Sequence, residues 1–269
     1  MNKNLRDIQN MSDSRGVEIQ KVGVKDVEVP LLVQRKNADN QVVSAKARLS
    51  VTLPHNFKGT HMSRFIEILS DWETKNLLGI DIKGCLEDVN KKLNAKKSEV
   101  KFEFKYFIEK TAPVSRKKSL MGYDCSFKGI FKKNNEYKFI LGAKVPVTTL
   151  CPCSKEISAY GAHNQRAIIS VNVSYDEKNM IWLEDLISMV EKCASSPVYP
   201  LLKRADEKYV TEKAYENPKF VEDVLRDVVI KFREHKSINW FEVDIESIES
   251  IHNHSAWAYQ KESKIPSEE

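Results

Sequence analysis

Long apolar runs are missing from this chain. No stretch approaches the roughly 20 apolar residues that span a bilayer, and the uninterrupted runs are only a few residues long. The opening, MNKNLRDIQNMSDSRG, is polar and lacks the apolar segment of a signal peptide. Both absences lead us to expect a soluble, cytoplasmic protein. Glycine and proline are sparse, nine of each in 269 residues, which excludes a collagenous or low-complexity chain. An even cysteine complement is missing too. Five cysteines do not suit a secreted disulfide framework. Neither sign of charge dominates: 43 basic against 38 acidic residues leave a net +5. That small excess does not call for nucleic acid, though it is compatible with a small polyanionic substrate such as a nucleotide. There is no GxxxxGK[ST] phosphate loop, GxGxxG fingerprint, GxSxG elbow or HExxH helix. A bound nucleotide is therefore held by other devices.

What is present describes an ordinary folded protein, 41% hydrophobic and 30% charged, long enough to bury a core without staples. Residues 1–20 read as a flexible polar arm. VEVPLLVQR (27–35) is strand-like, and VVSAKARLSVTLP (42–54) alternates Ala45, Ala47, Leu49, Val51 and Leu53 on one side. The period then becomes helical, with Phe65, Ile66, Leu69 and Trp72, and after a break near NLLGID with Ile82, Cys85, Leu86, Val89 and Leu93. Alternation returns in 100–110 and 122–133. After the polar break KKNNEY the order restarts: strands at 137–150 and 166–175, helices at 181–194 and 217–232, strands at 240–250 and 254–262. Asn217 reads as N-cap of the last helix, with Pro218 at its first position. The expected fold class is α+β: two tandem ββααββ modules, 21–134 and 135–269, each an antiparallel sheet with helices on one face. Sheets of this kind leave edges to cover, and an oligomer joined edge to edge covers them.

Three segments carry candidate chemistry. In TTLCPCSKEISAYGAHNQRA (148–167), Cys151, Cys153 and His163 are residue types that ligate zinc and similar metals. In an extended segment both thiols share one face, unless Pro152 bends it; the alternative is two buried thiols and a surface histidine. Cys85 and Cys193 fall on apolar helical stripes and read as core. In SIESIHNHSAWAY (247–259), His252 and His254 form an HxH pair with Glu249 nearby, suited to metal or to proton transfer near neutral pH; solvated loop histidines are the alternative. The third segment, 195–223, reads as a long connector between two helices, dense in Lys203, Arg204, Asp206, Glu207, Lys208 and Glu212. Its bases could meet phosphate and its acids a metal, or the loop could simply be solvated. Glu222 lies in the first turn of the following helix, where a carboxylate suits the dipole.

LCPCSKEISAYGAHNQRA, SSPVYPLLKRADEKYVTEKAYENPKFVEDVLRD and IESIHNHSAWA, in that order, resemble type IB GTP cyclohydrolase I, densely over about 140–260. The resemblance implies the tunnelling fold, two modules per chain and a homotetramer with sites at subunit interfaces. It implies conversion of GTP and water to 7,8-dihydroneopterin 3'-triphosphate and formate, the first step of folate and pterin biosynthesis. It also implies a divalent metal, zinc first with manganese or iron tolerated, on Cys151, His163 and Glu207, with Glu249 as support or occasional ligand. Glu222 is the implied guanine anchor, and His252 and His254 the implied proton-transfer and water-positioning pair. Lys203, Arg204 and Arg166 are triphosphate candidates, and Cys153 has no assigned role. The related alternatives are a cyclic-phosphate-forming cyclohydrolase or a nitrile reductase of the same fold. A non-catalytic metal-binding or nucleic-acid-binding module is the remaining one. The weak charge and the lack of an aromatic–basic stripe argue against nucleic acid, and no membrane partner is expected.

Overall fold

Alternation of apolar and polar residues produces strands throughout. The computed structural model describes residues 7–9, 11–73, 81–175 and 179–264. Its elements run β1 (Ile19–Val33), β2 (Gln41–Leu53), α1 (Met62–Glu73), α2 (Ile82–Lys92), β3 (Lys97–Thr111), β4 (Lys118–Lys132), β5 (Tyr137–Leu150) and α3 (Pro152–Ile157). Then follow β6 (Asn164–Tyr175), α4 (Leu183–Glu191), β7 (Ser196–Pro197), α5 (Arg204–Glu216), α6 (Val221–Glu234), β8 (Ile238–Ile248) and β9 (Ser255–Ser263). The chain forms two compact units, one of residues up to Phe104 with Ser126–Phe139, the other of Lys105–Cys125 with everything from Ile140 onward. This division by contact differs from a cut at residue 134, because β3 and β4 are long enough to run through both units.

In the first unit the strand order is β1-β2-β3-β4. Val43, Ala45, Ala47, Leu49, Val51 and Leu53 are all buried on one side of β2, as their period of two demands. Phe65, Ile68 and Leu69 of α1 and Ile82, Cys85, Leu86 and Val89 of α2 fill the same core. Ile66, expected on that stripe, faces out, because Ile68 occupies the inward position one turn from Phe65. Most of the NLLGID break, 76–80, lies outside the described residues.

In the second unit β4, β5, β6, β8 and β9 are successive neighbours, with β7 on β5. The β5–β6, β6–β8 and β8–β9 pairs are antiparallel. Ala167, Ile169, Val171 and Val173 of β6 and Phe241, Val243 and Ile245 of β8 point inward, and α6 packs on β8 and β9. Cys193 is buried, as expected, and burial pushes its thiol up to about 11.

Two expectations need correction here. The 195–223 segment is not an open connector, since it contains β7 and all of α5. Nor does Asn217 start the last helix. It closes α5, and its amide donates to Ala194 O (3.0 Å) and Ser195 O (3.3 Å). α6 begins at Val221, where Asp223 accepts the Phe220 N–H at 3.0 Å.

Candidate functional site

Every site candidate lies in the second unit. β5 ends at Leu150, and the chain turns at once into α3 because Pro152 occupies its first position, where a fixed φ suits the helix and no N–H is lost. Cys151 is the N-cap, its Sγ accepting the Ser154 N–H at 3.4 Å. The extended reading of CPC therefore fails, and the two thiols part: Cys151 is half-buried and Cys153 exposed. Backbone bonding draws His163 to Cys151 instead. The Cys151 N–H donates to His163 O (3.1 Å). Ser154 Oγ donates to Cys151 O (3.1 Å) and accepts the His163 N–H (3.3 Å). One serine thus pins both ends of the excursion from Cys151 to His163. Gly161, at φ +140°, supplies a conformation in it that a side chain rarely adopts.

Beyond His163 the strand β6 begins, and Gln165 turns inward. Its amide nitrogen contacts His163 Nδ1 and donates to Glu249 Oε2 at 3.1 Å. Glu249 follows the end of β8. The rings of His252 and His254 stack with centroids 5.0 Å apart, in the exposed turn between β8 and β9. The HxH spacing does bring these two together.

α5 stands at its N-terminus on Asp206, which is fully buried. Its carboxylate accepts the N–H groups of Lys203, Val114 and Ser115, each at 2.8 Å. Burial alone raises its pKa, but the hydrogen bonds from Ser115, Lys203 and Val114 outweigh that and hold it well below the usual carboxylate range. So the connector's most constrained acid is structural. Glu207, the next residue, is exposed. It shares a helical face with Val210, Thr211 and Ala214 by its spacing, and those three line a pocket of about 760 Å³ with Leu150, Ala162 and Asn164. The pocket therefore lies between α5 and residues adjoining Cys151 and His163.

The remaining candidates are more dispersed. Glu222 is exposed in the first turn of α6. That turn is anchored by Lys219, whose N–H donates to Leu150 O (3.0 Å) and whose Nζ reaches Cys193 O (2.8 Å) and Asp227 (2.6 Å). Lys203 and Arg204 are exposed at the start of α5. Arg166 is exposed and, by strand alternation, lies on the sheet face opposite Gln165. Among the described residues, no three His, Cys, Asp or Glu side chains converge closely enough to hold a metal ion. The expected trio is gathered only as far as Cys151 and His163.

A family profile described as Type I GTP cyclohydrolase folE2 matches residues 5–258. A GTP cyclohydrolase FolE2 of Geotalea uraniireducens is 54% identical over 254 residues, covering 94% of this chain and 92% of that protein. One of Geobacter sp. strain M21 is 51% identical over 260 residues, covering 97% and 96%. The chain belongs to the type I GTP cyclohydrolase FolE2 family. FolE2 relatives are alike along nearly the whole chain. The crystal structure of a uricase from Bacillus fastidious covers 91% of this chain with a TM-score of 0.54 at 9% identity. That likeness concerns fold alone, and it is the tunnelling fold.

The donors of this FolE2-family chain suit a borderline cation by kind: a thiol at a helix N-cap, an imidazole whose backbone bonds to that cap residue, and an exposed carboxylate on α5. Sequence reasoning missed Gln165, Thr149 and Ser247, all buried. A signal existed: Gln165 interrupts the inward-facing series Ala167, Ile169, Val171, and a polar residue in an apolar stripe is the informative exception.

Proposed function

We propose that this FolE2-family chain opens the imidazole ring of GTP with water, yielding 7,8-dihydroneopterin 3'-triphosphate and formate and initiating folate and pterin synthesis. The observation that carries the reading is the Ser154 pin, which joins Cys151 to His163 beside a pocket walled by the Glu207 face of α5. Cys151, His163 and Glu207 would hold the metal, zinc first and manganese or iron second, with Glu207 reaching across the pocket and Glu249 in support. When bound, the cation supplies the Lewis acidity that makes water a competent nucleophile near neutral pH.

The other groups act on the substrate. Glu222 offers two oxygens to the adjacent N1–H and exocyclic amino group of guanine. His252 and His254 carry protons between water and the opening ring, which suits imidazoles placed side by side. Lys203, Arg204 and Arg166 meet the triphosphate. A homotetramer with sites shared between subunits brings Arg166 and the exposed histidine turn to substrate. A thiolate ligand also suits the reducing cytoplasm. Glu222→Gln tests the anchor. The parent enzyme prefers GTP to inosine triphosphate, which lacks the amino group, and the variant loses most of that preference in kcat/KM. An unchanged preference removes Glu222 from the site.

A further inference from the structure

Between the strands behind His163 runs a buried polar chain that the proposed chemistry leaves unused. Thr149 of β5 and Gln165 of β6 are cross-strand partners, and Thr149 Oγ1 donates to Gln165 Oε1 at 3.4 Å. Thr149 also shares a hydrogen bond of 3.2 Å with Ser247 Oγ of β8. All three side chains are at least nine-tenths buried. Their neighbours along β6 and β8 are Ala167, Ile169 and Ile245, all apolar. A primary amide in such a layer costs free energy unless each of its donors and acceptors is used. Gln165 uses them on Thr149, on His163 Nδ1 and on Glu249 Oε2. The last two are residues that we place at the metal, and Glu249 lies 84 residues beyond Gln165 along the chain.

A histidine ligand binds through one ring nitrogen, and the partner of the other nitrogen decides which. Here Gln165 takes Nδ1, so only Nε2 is directed away from the buried chain. We infer that Gln165 is the positioning residue of this site: it fixes the ring orientation and tautomer of His163 and links that ring to Glu249. The amide can present either end to Nδ1. With its nitrogen there, Nδ1 accepts and the ring proton sits on Nε2. With Oε1 there, Nδ1 carries the proton and Nε2 keeps a lone pair for a cation. In the second arrangement Oε1 also faces Glu249, and the two oxygens repel, so Glu249 turns outward. Metal loading at His163 and the loss of the Gln165–Glu249 hydrogen bond are therefore one event, transmitted by a side chain that touches neither metal nor substrate. Thr149 and Ser247 follow the turning amide, because a hydroxyl both donates and accepts.

This inference rests on the proposed role of His163, and the test separates the two. Zinc affinity of the metal-free protein is measured by competition with a chromophoric chelator, for the parent, His163→Ala, Gln165→Met and Gln165→Glu. Gln165→Met keeps the volume and removes the hydrogen bonds. Its zinc affinity is expected to fall about 10- to 100-fold, and kcat to fall while KM for GTP stays within about twofold. Gln165→Glu keeps an oxygen toward Nδ1 and is expected to restore most of the zinc affinity, which space-filling alone would not do. If His163→Ala binds zinc like the parent, the site assignment fails and this inference fails with it. If His163→Ala loses zinc while Gln165→Met retains it, the site stands and the role of Gln165 is overturned. A measurement on the parent needs no variant to fold: nitrogen-15 spectra of the zinc-loaded protein should show His163 protonated at Nδ1 and bound through Nε2. Coordination through Nδ1 would overturn the inference.

Discussion

Asp206 and Glu207 are neighbours in opposite surroundings, the first fully buried and the second exposed. Asp206 gathers three backbone N–H groups and joins the turn at Val114 and Ser115 to the start of α5. Its folded-state pKa is depressed, so its stabilisation is complete above the unfolded value near 4 and is lost as pH falls toward the folded one. Asp206→Asn should therefore lower the urea midpoint clearly at pH 7, with a gap from the parent that narrows as pH falls below about 4. A gap that stays constant with pH would contradict this. A second residue-scale case is the Lys110–Glu191 pair, both side chains 11% exposed and 2.7 Å apart. Lys110 also donates to Val198 O (2.6 Å), and Tyr123 donates to Glu191 (2.7 Å). Burial, then the Glu191 charge, pushes the Tyr123 hydroxyl far above its ordinary pKa. Lys110→Met leaves a buried carboxylate without its cation and should cost about 3–5 kcal/mol in urea unfolding. Adding Glu191→Gln should recover part of that loss.

At the level of elements, α2 lies close on β4 only because Gly129 has no side chain. A Cβ there would stand 2.5 Å from Ile82 Cγ2 and 2.9 Å from Leu86 Cδ1. Gly129→Ala should destabilise by about 1–3 kcal/mol through this overpacking, read as a lower urea midpoint. Trimming Ile82 to valine in the same chain should relieve some of it. The strands were largely legible in the sequence, β5 to the residue at 137–150, because period-two burial writes itself into composition. α5 was not. Of its residues only Asp206 and Ala214 are buried, so it carries no apolar stripe, and its stability comes from the Asp206 cap and from Lys155, which lies over the Tyr215 ring and donates to Tyr215 O. Whether CPC stays extended or bends at Pro152 was left open by the sequence, because the helix that decides it is only six residues long and depends on Ser154. The pairing of Cys151 with His163 was legible only through the family resemblance, since residue type alone did not separate Cys151 from Cys153; the link from His163 to Glu249 was not legible, because it passes through an amide that no motif marks.

For the whole molecule, the proposed site depends on an oligomer that joins sheets edge to edge. Among the described residues the proposed metal ligands do not close into a trio within one chain, Arg166 faces away from Gln165, and His252 and His254 are exposed. If sites are shared, mixing a Glu222→Ala subunit with a Cys151→Ala subunit, each inactive alone, should regenerate part of the activity as subunits exchange. Mixed oligomers with no activity would count against sharing. No helix among the described residues is long and apolar enough to cross a membrane. The most direct measurement of the central claim is incubation of the zinc- or manganese-reconstituted protein with GTP, followed by assay of formate and of the oxidised fluorescent pterin. The account requires both products in equal amounts, with both lost in Cys151→Ala. Intact GTP under every divalent ion, or a pterin formed without formate, would contradict it.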